Sequence, residues 1–173
     1  MTARTADETT ETGWFTAGSV AALVGFLLAT AAAAYAGVRY QGDDPAGYYR
    51  SLPLPDGAPA ADLLGPVWTV LFVLMAVAAW IVWRRWGWTG SQGALNLWVL
   101  QLALSAAWTP VFFGMEDTLL ALIVIVLLLI AVIATITAFW QRSRLAALLL
   151  LPYGFLVASA TLLNGIVWWR VSG

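Results

Sequence analysis

The 173-residue chain contains no cysteine and no histidine. Without Cys there can be no disulfide framework, no thiolate nucleophile and no Fe–S or Cys-zinc site. Without His the commonest metal ligand is missing, together with the usual general base near neutral pH. Charge is scarce too: 10% of residues are charged against 62% hydrophobic, where a soluble domain carries about 25% charged. All eight basic residues are Arg, and they balance nine acids to a net charge of −1. A soluble enzyme could not cover its outside with so few charges. A nucleic-acid binder would need a basic excess, and a disordered chain would not be this apolar. The composition is that of an integral membrane protein.

The charges cluster, and long charge-free runs lie between the clusters. A helix needs about 20 apolar residues to cross a bilayer. Five segments reach that length, at about 15–36, 64–83, 95–113, 118–140 and 145–169. They do not alternate polar with apolar as barrel strands do, and backbone groups in lipid must be satisfied within the segment. The expectation is an all-α integral membrane protein, a five-transmembrane-helix bundle. Its parts are a polar tail at 1–14, a membrane domain over 15–170 and a short tail at 171–173. The first span resembles a signal peptide around ATAAAAYAG. However, Met1–Trp14 holds three acids and one Arg, whereas a signal sequence starts basic. It is read as a retained helix.

If the spans alternate, Arg4, Arg84, Arg85, Arg142 and Arg144 share one side, and Arg39, Arg50 and Arg170 share the other. The positive-inside rule then places the N-terminus in the cytoplasm and the C-terminus outside, in an inner or cytoplasmic membrane. The one long connection, 37–63, contains Pro45, Pro53, Pro55 and Pro59 and cannot be a continuous helix. It is either a lid over a binding site or a tether between helices. No internal repeat is visible.

No span contains an ionisable residue, which leaves a proton relay or ion-coupled pump without parts. The polar groups inside are uncharged. Gln101 and Ser105 are spaced i, i+4 and Trp108 follows at i+7, so helix three presents amide, hydroxyl and indole on one face. Helix five contributes the single amide of Asn164. Residues of this kind also serve as interhelical glue, and both readings stay open. Pro66, Pro110 and Pro152 can each bend a helix. For Pro66 and Pro152 a position at the helix start serves equally well.

Eleven tryptophans remain. Trp14, Trp83, Trp86, Trp88, Trp140, Trp168 and Trp169 fall at span ends, where indoles gather at headgroup level. Trp68, Trp80, Trp98 and Trp108 fall inside spans two and three. Interior indoles either pack the bundle or hold a large, flat apolar ligand.

Four stretches are specific enough to name a family. LLGPVWTVLFVLMAVAAWIVWR (63–84), LQLALSAAWTPVFFG (100–114), LPYGFLVASATLLNGIVWW (151–169) and the Tyr48-Tyr49-x-x-Leu52-x-x-Pro55 segment resemble the TspO/translocator protein family, also called tryptophan-rich sensory proteins or peripheral benzodiazepine receptors. The resemblance implies a TspO-like five-helix bundle, usually a homodimer, with a pocket toward the first loop. It implies a tetrapyrrole such as protoporphyrin IX, or a similar apolar molecule, as ligand. Membrane lipids are the surroundings, no cofactor is required, and neither nucleic acid nor metal takes part. Alternatives within the family are light-dependent porphyrin breakdown, for which Trp68 would be the reacting indole, and passive transport of tetrapyrroles or lipids. A binding or sensory role rather than an enzyme is expected.

Carried over residue by residue, the pocket positions fall on Trp68, Gln101, Ser105, Trp108, Tyr153, Leu156, Ala160 and Asn164. Several depart from the family pattern. A helix-five Trp is Leu156, the helix-three Asn is Ser105, the loop's aromatic positions are Gly57 and Asp62, and its Lys-Pro is Leu54-Pro55. A sterol motif of Leu/Val, Tyr and Lys/Arg is not met, since its Tyr falls on Gly165 or Ile166. Losing an indole at Leu156 is expected to weaken ring stacking without abolishing it.

Overall fold

The structure, a computed structural model, describes residues 16–173. The polar tail, with Arg4 and Trp14, and the expected first residue of span one, Phe15, lie outside the described residues. Four helices are long and apolar enough to cross a membrane. They are α1 (Ala17–Arg39), α3 (Ala61–Thr109), α4 (Thr118–Trp140) and α5 (Arg144–Ser172), with a short α2 (Pro45–Ser51) in the long connection. At 1.5 Å per residue, the 23 residues of α1 or α4 cover about 35 Å, enough for a hydrocarbon core of about 30 Å.

Local chemistry sets the helix starts. Thr16, Asp44, Asp117 and Ser143 each accept a hydrogen bond from the backbone N–H three residues on, at 2.8–3.4 Å. Asp44 is followed by Pro45 at the first helical position, where a missing N–H costs nothing.

α3 contains two spans. Its 49 residues are interrupted at Gly87, whose φ of 64° and ψ of −175° are not helical. A side chain is rarely tolerated at such a φ, so glycine marks the turn. The reversal is fixed by Trp98, whose Nε1 donates to Met75 O at 3.1 Å. In a straight helix those residues would lie about 35 Å apart. The two arms, 61–86 and 88–109, are therefore antiparallel neighbours, and the expected five spans are all present. Pro66 and Pro152 do not start their helices: each lies inside, five and eight residues after the first helical position. Pro110 instead opens a wide π turn, Pro110–Gly114, closed by Met115 N–H to Pro110 O at 2.8 Å.

The core joins Met75, Ala76, Ala79 and Val82 of α3 to Ala121, Ile125, Leu128 and Val132 of α4 and Ala146, Leu150 and Val157 of α5. The alanines let the backbones come close, as dispersion requires where lipid supplies no hydrophobic drive between helices. Trp80 Nε1 donates to Ser19 O at 2.8 Å and ties α1 to α3. α1 packs only against α3 and the π turn, while α5 packs against α3 and α4. Among the described residues the backbones of α1 and α5 do not come close to one another, and α3 packs against both.

Candidate functional site

At the loop end of the bundle lies a cavity of about 660 Å³, within the usual range for small-molecule sites. Its walls come from the last turns of α1 (Ala33, Ala34, Gly37, Val38), both arms of α3, the π turn and α5. The long connection supplies the roof, with Tyr49 and the 55–59 stretch. Cavity-lining Val38 of α1 and Leu162 of α5 are 58% and 71% exposed.

Six of the eight expected site residues reach this cavity: Trp68, Ser105, Trp108, Leu156, Ala160 and Asn164. They come from three segments far apart in sequence, brought together by the reversal at Gly87 and by α5 packing against α3. Trp68 stands edge-on to Tyr153, with ring centroids 5.9 Å apart and planes at 72°. Trp108 stacks on Phe112 at 5.0 Å and 19°, and its Nε1 donates to Asn164 Oδ1 at 3.4 Å. Asn164 Nδ2 in turn donates to Thr118 O at 3.0 Å. Asn164 is thus both wall and glue, the two roles left open by its sequence.

Gln101 and Tyr153 do not line the cavity. Both are fully buried behind its wall. The helical stripe of Gln101, Ser105 and Trp108 exists, but only its upper two members reach the opening, because Gln101 lies a turn deeper. Neither polar atom of the Gln101 amide has a hydrogen-bond partner among the described residues, and the Tyr153 hydroxyl is beside the Ser105 side chain. Of the four interior indoles, Trp80 and Trp98 bond to backbone carbonyls in the core, and Trp68 and Trp108 face the cavity. Trp86, Trp88, Trp140 and Trp169 are exposed at span ends, as belt residues should be.

The roof is tied down at several points, which favours a lid over a loose tether. Arg170 Nη1 donates to Pro53 O at 2.9 Å and Leu54 O at 3.2 Å. Tyr49 OH donates to Pro59 O at 3.1 Å, and Tyr48 OH to Glu116 O at 3.4 Å. Tyr48 also meets Phe112 and Phe113 edge-on. Burial first, then the carboxylates of Glu116 and Asp117, raise the Tyr48 phenol above its ordinary value of 10.0. Gly114 lies so close to Tyr40 O that a Cβ there would collide with it. Gly37 packs closely against Thr109, and Gly42 against the Phe113 carbonyl. The sequence marks Gly37 and Gly42 only as glycines of the long connection and Gly114 only as part of the PVFFG motif, without the close approaches they serve.

Comparison with known proteins agrees with this geometry. The TspO/MBR family model matches residues 19–170. The chain is 37% identical to the human translocator protein over 147 residues, 84% of this chain and 87% of that one. It is 35% identical to the tryptophan-rich protein TspO of Chlorobaculum tepidum, covering 84% and 91% of the two chains. A tryptophan-rich sensory protein of Cereibacter sphaeroides is 37% identical over 139 residues, 80% and 84% of the two. With its five antiparallel spans and a match along nearly its whole described length, the chain is a multi-pass integral membrane protein that belongs to the TspO/MBR family.

Proposed function

We propose that this protein binds a flat, apolar ring system of the tetrapyrrole type in the roofed cavity, in a sensory or porphyrin-handling role. The observation that carries this reading is the meeting of Trp68 and Trp108 in one 660 Å³ cavity. Indole faces hold planar rings, and a few polar groups, here Ser105 and Asn164, orient them. The site residues of this reading are Trp68, Ser105, Trp108, Leu156, Ala160 and Asn164, with Gln101 and Tyr153 supporting them from behind. Cavity-lining Val38 and Leu162, exposed on α1 and α5, put part of the wall within reach of a membrane-dissolved ligand. The N-terminus is assigned to the cytoplasm on Arg bias.

The test is titration of the purified protein with protoporphyrin IX in the dark, followed by Trp fluorescence. Saturable quenching that weakens in Trp68→Leu supports the site, and no quenching up to high micromolar ligand refutes it. A second reading, light-driven oxidation of the ring by oxygen, is favoured by the position of Trp68 on the cavity wall. It predicts that porphyrin absorbance bleaches under light and that Trp68→Phe stops the bleaching. A homodimer belongs to the proposal as well. Ala103 and Ala107 lie exposed on α3, and Gly18 and Gly25 of α1 face open space, giving close-approach surfaces.

A further inference from the structure

Gln101 lies in the interior of the bundle with its hydrogen bonds unmade. It is fully buried, and neither Oε1 nor Nε2 has a partner among the described residues. An amide carries two N–H donors and an oxygen with two lone pairs, and buried polar groups in folded proteins nearly always find partners. Inside a membrane span the demand is sharper, because the hydrocarbon around the bundle offers no partner. The indoles on the same helix are already committed. Trp98 donates to Met75 O at 3.1 Å, and Trp108 to Asn164 Oδ1 at 3.4 Å.

Burial narrows the choice of partner. Lipid chains and a second copy of the chain cannot touch a side chain with no exposed surface. A ligand in the 660 Å³ cavity does not touch it either, since Gln101 is not among the lining residues. What remains is a molecule small enough to sit within the packed wall. Ser105 follows one turn later on the same helix face, where Cβ atoms are about 5–6 Å apart, and Ser105 does line the cavity. The Tyr153 hydroxyl, fully buried, lies beside the Ser105 side chain. One amide and two hydroxyls supply the two to four polar contacts that a buried water needs.

We infer that Gln101, Ser105 and Tyr153 form an internal water site behind the cavity wall, filled through Ser105, in which water is the hydrogen-bond partner of the Gln101 amide. Tyr153 also stands edge-on to Trp68, so the hydrated cluster backs the indole wall of the cavity. The inference is independent of what the cavity binds.

The test is water-edited solid-state NMR on the isotope-labelled full chain in lipid bilayers, which reads how fast polarisation passes from water to each amide. The Nε2 signal of Gln101 should appear at the earliest mixing times, together with that of Gln41, which is half-buried at the roof. Gln101→Met keeps the length of the side chain and removes its polar atoms, so it identifies the signal by its loss. Ser105→Val and Tyr153→Phe each remove a hydroxyl from the site, and the early Gln101 signal should be lost in both. An unchanged elution profile would show that these variants keep the fold. The wild-type protein alone can overturn the inference: a Gln101 signal that builds up no faster than the buried backbone amides of Leu128 and Val132 means that no water reaches it. An early signal that survives both hydroxyl deletions would overturn the three-residue site.

Discussion

Trp108 and Asn164, 56 residues apart, are joined by an indole-to-amide hydrogen bond of 3.4 Å. Because Asn164 also bonds to Thr118 O, one side chain couples the cavity's second indole to the start of α4. Replacing Asn164 by Leu leaves the buried Trp108 N–H without its acceptor, at a cost of about 1–3 kcal/mol. Thermal unfolding in detergent should show the loss, and ring binding should weaken because Trp108 is no longer held in place.

Leu156 lines the cavity on α5 together with Trp68 of α3. Leu156→Trp adds a third indole to the wall that holds Trp68 and Trp108. Stacking adds about 0.5–1.5 kcal/mol beyond area burial, so porphyrin affinity should rise by up to about tenfold. Fluorescence titration reads this directly. If binding is unchanged, the ring does not lie between these two positions.

Arg170 holds the roof by two backbone carbonyls. Arg170→Gln should leave the melting temperature nearly unchanged, since an exposed contact of this kind contributes at most about 1 kcal/mol. The 52–59 segment should become more open to protease, and bound ligand should dissociate faster in stopped-flow exchange.

Gly114→Ala places a methyl group against Tyr40 O, a backbone atom that cannot swing aside. The strand of chain after α1 has to separate from the π turn, with an expected destabilisation of about 1–3 kcal/mol. Gly93→Ala, which meets only open space, is the control and should not destabilise the protein in the same thermal assay.

The roof should also loosen in alkali. The Tyr48 phenol titrates higher in the folded protein than in the unfolded chain, with burial the main cause and Glu116 and Asp117 adding to it. Its contribution is therefore fully present below the unfolded value of about 10 and is lost as pH rises through the higher folded value. Protease sensitivity of the connection should increase above pH 10, and Tyr48→Phe should flatten that increase.

The spans were legible because lipid imposes one length and forbids charge, so the Arg and Asp positions bracket each helix within a few residues. The indoles of the cavity were legible through motif spacing alone. The roof was not. Its ties join residues such as Arg170 and Pro53, 117 apart, and no local pattern marks such a pair. Gln101 misled for a related reason: periodicity shows which face of a helix a residue occupies, but not how deep along that face the opening reaches. Pro66 misled because α3 begins at Ala61, three residues before the expected span, and Pro152 because it already lay seven residues inside the expected 145–169 run, too deep for a first-turn position.

Val38 and Leu162 line the cavity and are at the same time exposed on the outside of the bundle, so acyl chains of the surrounding lipid press on part of its wall. What fits inside is then partly a property of the host bilayer. Stiffer, more ordered lipid would narrow the site and fluid lipid would widen it, so the same polypeptide can rank its ligands differently from one membrane to another.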